Sequence, residues 1–94
     1  MPTTHAADIA DLKAEIIALI VSQLGFDPKA FPVHIDDKLA AEVLGVKPST
    51  LAVWRSTGRY RLPYLKVGRL VKYRISDLAE FLARRTAHHT GEVA

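Results

Sequence analysis

The spacing of glycine and proline near the middle of the chain constrains the fold more than any other feature of the sequence. Asp36 to Leu44 carries apolar residues at helical spacing, and Gly45 directly after it is a residue that commonly ends helices. Pro48 favours the first position of a second helix, because its missing N–H has no partner there in any case. This second helix is predicted to run to Thr57. Only three residues separate the two predicted helices, so the chain must turn sharply between them.

The other predicted elements surround this pair of helices in one small domain. Asp8 to Leu24 is predicted to form an N-terminal helix, and a connector with two prolines follows it. Ser76 is predicted to begin the last helix, and the segment after Thr86 is predicted to be a flexible tail. The predicted parts of the chain are an N-terminal helix with its connector (1–33), a central domain (34–86) and the tail (87–94).

The predicted N-terminal helix carries more apolar surface than one contact with a small domain needs. One apolar row begins at Ile9 and continues at helical spacing to Leu19, and a second row runs from Ile17 to Leu24. We expect one face to pack on the domain and the other to mediate self-association. The alternative is a helix that is buried entirely within its own domain.

Leu62 to Arg74 is predicted to form a β-hairpin around Gly68, for which two registers are open. A two-residue loop places Gly68 where a tight turn favours glycine, but it puts Lys72 on the same face as Leu65. Since we expect the hydrophobic pattern to determine the register, we predict a three-residue loop, 68–70. That loop separates the apolar residues Leu65, Val67, Val71 and Tyr73 from the outward-facing Lys66, Lys72 and Arg74.

Basic residues are concentrated in the second half of the chain. Residues 1–46 contain three lysines and seven acidic residues, a balance of −4, and residues 47–94 contain ten basic and three acidic residues, a balance of +7. Eight basic residues and no acidic residue lie between Lys47 and Arg74. Such a stretch is typical of a surface that binds a polyanion, and a solvated basic face is the alternative.

The predicted turn between two short helices indicates that this polyanion is DNA. In helix-turn-helix geometry the second helix lies in the major groove, where hydroxyl, aliphatic and arginine side chains read bases and phosphates. The hairpin is then a wing, whose tip residue Arg69 can enter a narrow minor groove while its other cations hold phosphates. The predicted DNA-binding residues are Lys47, Ser49, Thr50, Val53, Arg55, Ser56, Arg59, Arg61, Lys66, Arg69, Lys72 and Arg74.

From Leu39 to Arg85 the sequence resembles the small winged helix-turn-helix domains of the excisionase and MerR-like group. The matching features are an alanine-rich helix ending in Leu-Gly-Val (44–46), the wing sequence Leu-Lys-Val-Gly-Arg (65–69), and Arg-Ile-Ser-Asp-Leu (74–78) leading into the last helix. The resemblance implies a mainly helical winged helix-turn-helix with a small β-hairpin, here with an added N-terminal helix. Two departures are Lys47, where the family usually has a Ser or Thr cap, and the longer turn Arg59-Tyr60-Arg61 before the wing.

The resemblance implies two functions, and the residues leave a third one open. Many members of the group are excisionases, or recombination directionality factors, which bind repeated sites cooperatively, bend DNA and direct a tyrosine or serine integrase towards excision. Others are stand-alone transcription regulators, and one protein can combine both roles. The absence of a sensor domain after the helix-turn-helix favours the excisionase, with the N-terminal helix as its oligomerisation element. The third function is that of a protein-docking module that has lost DNA binding.

The sequence predicts neither an enzyme nor a protein with a cofactor or metal ion. It contains no cysteine, and its four histidines do not have metal-ligand spacing with one another or with the acids. Asp36 and Asp37 stand at a predicted helix start, where the helix dipole favours acids. The longest apolar run, Ile16 to Val21, is too short to span a membrane. We therefore expect a cytoplasmic bacterial protein that is held at the nucleoid by DNA.

Overall fold

The computed structural model describes the backbone of residues 6–92 and the side chains of residues 8–86. In this part of the chain four α-helices and three short strands make up a mainly helical fold with one antiparallel sheet, which is compatible with a winged helix-turn-helix and confirms the predicted fold class. The elements are α1 (Ala6–Gln23), β1 (His34–Asp36), α2 (Asp37–Leu44), α3 (Pro48–Thr57), a 3-10 turn (Arg59–Arg61), β2 (Leu65–Val67), β3 (Leu70–Arg74) and α4 (Ile75–Glu92).

The turn between α2 and α3 forms as the sequence predicts. Asp36 begins α2, since its carboxylate accepts a hydrogen bond of 2.8 Å from the backbone N–H of Leu39. Gly45 ends α2 at a φ of 71°, a left-handed conformation that favours glycine. This conformation lets the N–H of Val46 reach back to the carbonyl of Ala41 at 3.0 Å, which closes the helix end and redirects the chain into α3.

The sheet contains a strand that the sequence analysis did not predict. Strands β1 and β2 both pair antiparallel with β3, so β3 is the central strand. In β1 only Ile35 is buried, and it lies opposite Tyr73 of β3. A three-residue strand with one buried side chain is too short to give a periodic signal. The wing is consequently anchored to the domain through β1 rather than projecting as an isolated hairpin.

The core lies between the helices and the inner face of this sheet. Small alanines on α2 and α4, Ala40, Ala41 and Ala79, are almost fully buried and allow these elements to approach closely. The larger core residues are Ile20, Ile35, Leu51, Leu62, Tyr73, Ile75 and Leu78.

Helix α1 packs along α4 and turns most of its apolar residues towards the domain. Ile20 and Val21 are buried, and Lys13 Nζ lies 3.3 Å from Glu80 Oε1 of α4. Among the described side chains of α1, Leu19 is the large apolar residue left exposed, with 61 % of its surface accessible. Self-association through α1 stays a prediction, and the exposed surface available for it centres on Leu19.

Helix α4 continues past Thr86 into the segment predicted to be a tail (87–94), and the flexibility of that segment stays a prediction. Helix α4 begins at Ile75 and continues to Glu92, because no proline or glycine interrupts the chain before Gly91. The last two residues of the predicted tail, 93 and 94, and the start of the predicted N-terminal part, 1–5, lie outside the described residues. Within the described part, no helix combines the length and hydropathy that crossing a membrane requires.

Candidate nucleic-acid interface

Helix α3 has one buried face and one exposed face, as a helix placed in a DNA groove requires. Leu51 of this helix is fully buried in the core, whereas Val53 on its other face is 55 % exposed. The predicted contact residues at its N-terminal end, Lys47 and Ser49, are exposed, and Thr50 is half-buried. The Lys47 side chain makes no capping hydrogen bond. Pro48 has no N–H, and the Thr50 N–H donates to the Lys47 carbonyl at 2.9 Å, so the Ser49 N–H is the backbone donor of the first turn that is left for a phosphate.

The hydroxyl groups near the C-terminal end of α3 are hydrogen-bonded to the helix itself. Ser56 Oγ donates to the Val53 carbonyl at 3.1 Å, and Thr57 Oγ1 donates to the same carbonyl at 2.8 Å. Ser56 is still exposed, and a hydroxyl that donates to its own backbone keeps its oxygen free as an acceptor. The structure thus places Ser56 on the surface with its donor already engaged.

Arg55 differs from the other predicted contact residues because it points into the domain. Its Nη1 atom donates to Asp37 Oδ1 at 2.7 Å and to the Tyr73 hydroxyl at 2.8 Å, and its side chain is only 18 % exposed. Desolvation lowers the pKa of Arg55, but the hydrogen bonds to Tyr73 and Asp37 outweigh it, and the net pKa lies above the ordinary value. Arg55 therefore links α3 to α2 and β3, and a DNA contact by Arg55 stays a prediction.

Replacing Arg55 by alanine is expected to lower the free energy of unfolding by about 1–3 kcal/mol, because two hydrogen bonds to a partly buried charged group are lost. The matched control is Arg74→Ala, which removes an arginine–aspartate pair whose arginine side chain is 52 % exposed. We expect that exposed pair to contribute little. Urea unfolding of both variants measures the difference, and equal losses would show that Arg55 has no special structural role.

The register of the wing contradicts the sequence prediction. Val67 pairs with Leu70 and Leu65 pairs with Lys72, so the loop has two residues, Gly68 and Arg69, rather than three. Gly68 has a φ of 61°, which the first position of a primed hairpin turn requires. The hydrophobic pattern failed because all three residues of β2 are exposed, so burial does not determine which way this strand faces.

The observed register redistributes the predicted wing residues between the two faces of the hairpin. Because paired residues in a hairpin share a face, Lys72 and Arg74 lie on the face of Leu65, Val67 and Leu70. Lys66 lies opposite Val71 on the other face. The predicted arrangement, in which Lys66, Lys72 and Arg74 form one outward basic face, is therefore wrong. The aliphatic residues of the observed outward face are Leu65, Val67 and Leu70.

Three cations of the wing have no ion-pair partner among the described residues, and a fourth is already paired. Lys66 and Arg69 are exposed and Lys72 is half-buried. In contrast, Arg74 Nε lies 2.8 Å from Asp77 Oδ2, and its Nη2 lies 3.2 Å from Asp77 Oδ1. This pairing raises the pKa of Arg74. The unpaired wing cations are consequently better placed than Arg74 to bind phosphates.

The turn after α3 presents two more cations, and its backbone is held in an unusual conformation. Tyr60 and Arg61 have φ values of 66° and 52°, which are costly for residues with a side chain. The Tyr60 ring lies 4.7 Å from the Trp54 ring, and the guanidinium of Arg85 lies 4.4 Å from its centroid. These contacts stabilise a turn in which both predicted contact residues, Arg59 and Arg61, are exposed.

The turn lies next to the base of the wing. A shallow pocket of about 130 Å³ separates the two, and both turn arginines line it together with Trp54 and with Tyr64, which precedes β2. The sequence predicts the two arginines as contact residues but not the Tyr60 ring between them, which packs edge-to-face on Trp54. A tyrosine between two arginines after a helix carries no spacing signal that would predict such a ring contact.

The residues that the structure describes contain no group of three or more metal-ligating side chains.

Residues 38–86, just over half of the chain, match the sequence model of a protein family that is described as a helix-turn-helix domain. This family includes excisionase-like DNA-binding domains. The matched segment contains α2, α3, the wing and the first part of α4. No curated protein and no solved structure matches the chain.

Proposed function

The chain belongs to the helix-turn-helix domain family, which implies sequence-specific DNA binding, and from this premise we propose that it is an excisionase of a bacterial mobile element. In this role it binds several closely spaced sites cooperatively, bends the DNA between them and directs a tyrosine or serine integrase towards excision. The integrase supplies the strand-exchange chemistry, and this protein acts at the nucleoid without a catalytic group or cofactor of its own. Control of transcription from the same DNA is part of the proposal.

The observation that carries this proposal is the position of the unpaired cations relative to α3. Arg59 and Arg61 lie at the end of α3, and Lys66, Arg69 and Lys72 lie on the wing. Cations placed beyond the end of a groove-binding helix can neutralise phosphates outside the segment that the helix itself covers. Such extended backbone contact favours a curved duplex, because bending brings more phosphates to the protein surface.

Cooperative assembly requires a contact between neighbouring copies, and we assign it to the exposed face of α1. Leu19 is exposed near the C-terminal end of that helix, while the opposite face packs on α4. This surface is small, which suits copies that associate only when DNA holds them side by side. Leu19→Gln is expected to reduce cooperativity and to leave the affinity for one isolated site unchanged. Ala14→Gln, an exposed position on another side of α1, is the control.

The proposal is tested by electrophoretic mobility shift on DNA from around the gene's own locus and a nearby attachment site, at two salt concentrations. We expect a ladder of successive complexes that weakens at higher salt. Circularly permuted fragments then measure the bend, and recombination with the cognate integrase in vitro measures the shift towards excision.

The alternative is a stand-alone transcription regulator built on the same domain. One sharp complex at a promoter, without bending and without an effect on integrase products, would identify that function instead. Absence of binding at low salt would contradict DNA binding by this chain and favour a protein-docking module.

A further inference from the structure

Two aliphatic side chains stand directly opposite each other at the end of the wing. Val67 and Leu70 form the last pair of the hairpin before the Gly68-Arg69 turn. They are 59 % and 60 % exposed, so the residues that flank the tip are apolar and mostly open to solvent. Leu65, which is 40 % exposed, lies on the same face, so the three residues form a contiguous exposed aliphatic patch, a feature that marks interaction surfaces.

The charges around this pair indicate what covers it. The hairpin, 65–74, contains four basic residues and no acidic residue. Among these cations, Lys66, Arg69 and Lys72 have no ion-pair partner in the described part of the chain. A second copy docking wing to wing would bring these like charges together, which is unfavourable. A polyanion with apolar patches of its own is the occupant that fits both the aliphatic pair and the cations.

We propose that Val67 and Leu70 together cover deoxyribose C–H groups along one wall of the DNA minor groove while Arg69, in the turn, reaches into the groove. The proposal rests on the DNA binding proposed above and adds residues to it. Because the two residues are paired, their side chains lie on the same face of the hairpin with Cα atoms about 4.5–5.5 Å apart, and they form one continuous aliphatic surface. That surface can lie against one sugar wall while the Arg69 side chain extends from the turn into the groove.

This arrangement explains why the tip combines one arginine with two aliphatic residues. The guanidinium is attracted by the negative potential of a narrow groove. The groove walls expose C–H groups of the sugars, which an aliphatic side chain can cover without leaving a polar group unsatisfied. The proposed contact requires the observed two-residue loop, which pairs Val67 with Leu70. In the three-residue loop Leu70 would belong to the loop itself, and the two side chains would not form a pair.

The test uses a double variant, Val67→Thr with Leu70→Thr, on a duplex that the wild-type protein has selected from a random DNA library. Both substitutions keep side chains that favour strands, and neither changes the charge. The control is Val33→Thr, which makes the same change at a valine that is 65 % exposed at the other edge of the sheet. Thermal unfolding establishes that all three proteins are folded.

We expect the double variant to bind the selected duplex about tenfold more weakly, with an unchanged dependence of affinity on salt because no cation is lost. Hydroxyl radicals attack deoxyribose C–H groups, so the variant should also lose protection at one short minor-groove segment. The control should behave as the wild type does.

Three results have distinct meanings. Unchanged affinity and unchanged protection in the double variant would overturn the minor-groove contact while leaving DNA binding intact. A loss of affinity that appears only on DNA with several sites would also overturn it, since the pair would then join copies of the protein. Failure of the wild type to select any duplex would contradict the proposed function itself.

Discussion

Replacing Lys66, Arg69 and Lys72 together by alanine is expected to weaken DNA binding by about a hundredfold to a thousandfold near 0.1 M salt. Each cation that neutralises a phosphate releases condensed counterions, so affinity depends on salt with a slope of about 0.9 per phosphate. Three lost phosphate contacts should therefore make the slope less steep by about 2.7. Titrations of a labelled duplex at four or more salt concentrations measure both quantities.

A matched triple variant separates specific phosphate contacts from net charge. Lys13→Ala, Lys29→Ala and Arg84→Ala remove the same three charges at positions on α1, in the connector and on α4. We expect its salt slope to stay close to that of the wild type. If both triple variants lost affinity equally, the wing would contribute only through the overall charge of the protein, and its placement beside α3 would have no role.

The second large effect is expected for Leu51→Ala, which should lower the free energy of unfolding by about 2–5 kcal/mol. Leu51 is fully buried beneath α3, so its truncation leaves a cavity between α3 and the core. A small domain is stable by only about 5–15 kcal/mol, so this loss is a large part of the total. The melting temperature should fall by about 10–25 °C, as measured by circular dichroism.

Val53→Ala is the control for Leu51→Ala, because it lies on the same helix with 55 % of its surface exposed. Its stability should change by less than about 0.5 kcal/mol, as is usual for surface positions. Its affinity for a selected duplex should fall instead, because Val53 is one of the predicted DNA-binding residues and an aliphatic side chain in the major groove can contact a thymine methyl. A stability loss in Val53→Ala as large as that in Leu51→Ala would contradict the two-faced arrangement of α3.

The helical part of the fold could be predicted because it depends on local chemistry. Gly45 and Pro48 set the boundary between α2 and α3, and Asp36 sets the start of α2. These signals act within a few residues of the position that they determine. The same locality explains why the full bounds of α3, Pro48–Thr57, follow from the sequence.

The sheet was harder to predict because its register depends on which faces are buried. The hydrophobic pattern assumes that one face of the hairpin is covered, but β2 is exposed along its whole length. The turn preference of Gly68 therefore determines the register. The alternation of Leu65 and Val67 with polar residues predicted the wrong register. Strand β1 was missed because its pairing with β3 is a contact between residues distant in sequence.

The candidate site was predictable in its charges and less so in its individual contacts. A stretch of basic residues without acids is visible in the sequence, and the exposed cations Arg59, Lys66 and Arg69 belong to it. The sequence contains nothing that separates Arg55 from them, because its partners Asp37 and Tyr73 are each 18 residues away. The direction of a side chain is a property of packing, which spacing alone does not report.

The bridge from Arg55 to Asp37 and Tyr73 has a consequence for the length of the DNA target. Because one guanidinium joins α2, α3 and the central strand of the sheet, the helix and the wing cannot shift independently. In the proposed binding mode, this connection fixes the span between the major-groove contacts of α3 and the minor-groove contacts of the wing. One base pair inserted between them displaces the second contact by about 3.4 Å and rotates it by about 34–36° around the duplex. Since the Arg55 bridge opposes that rotation, we expect the sites that this protein binds to share one internal spacing even where their sequences differ.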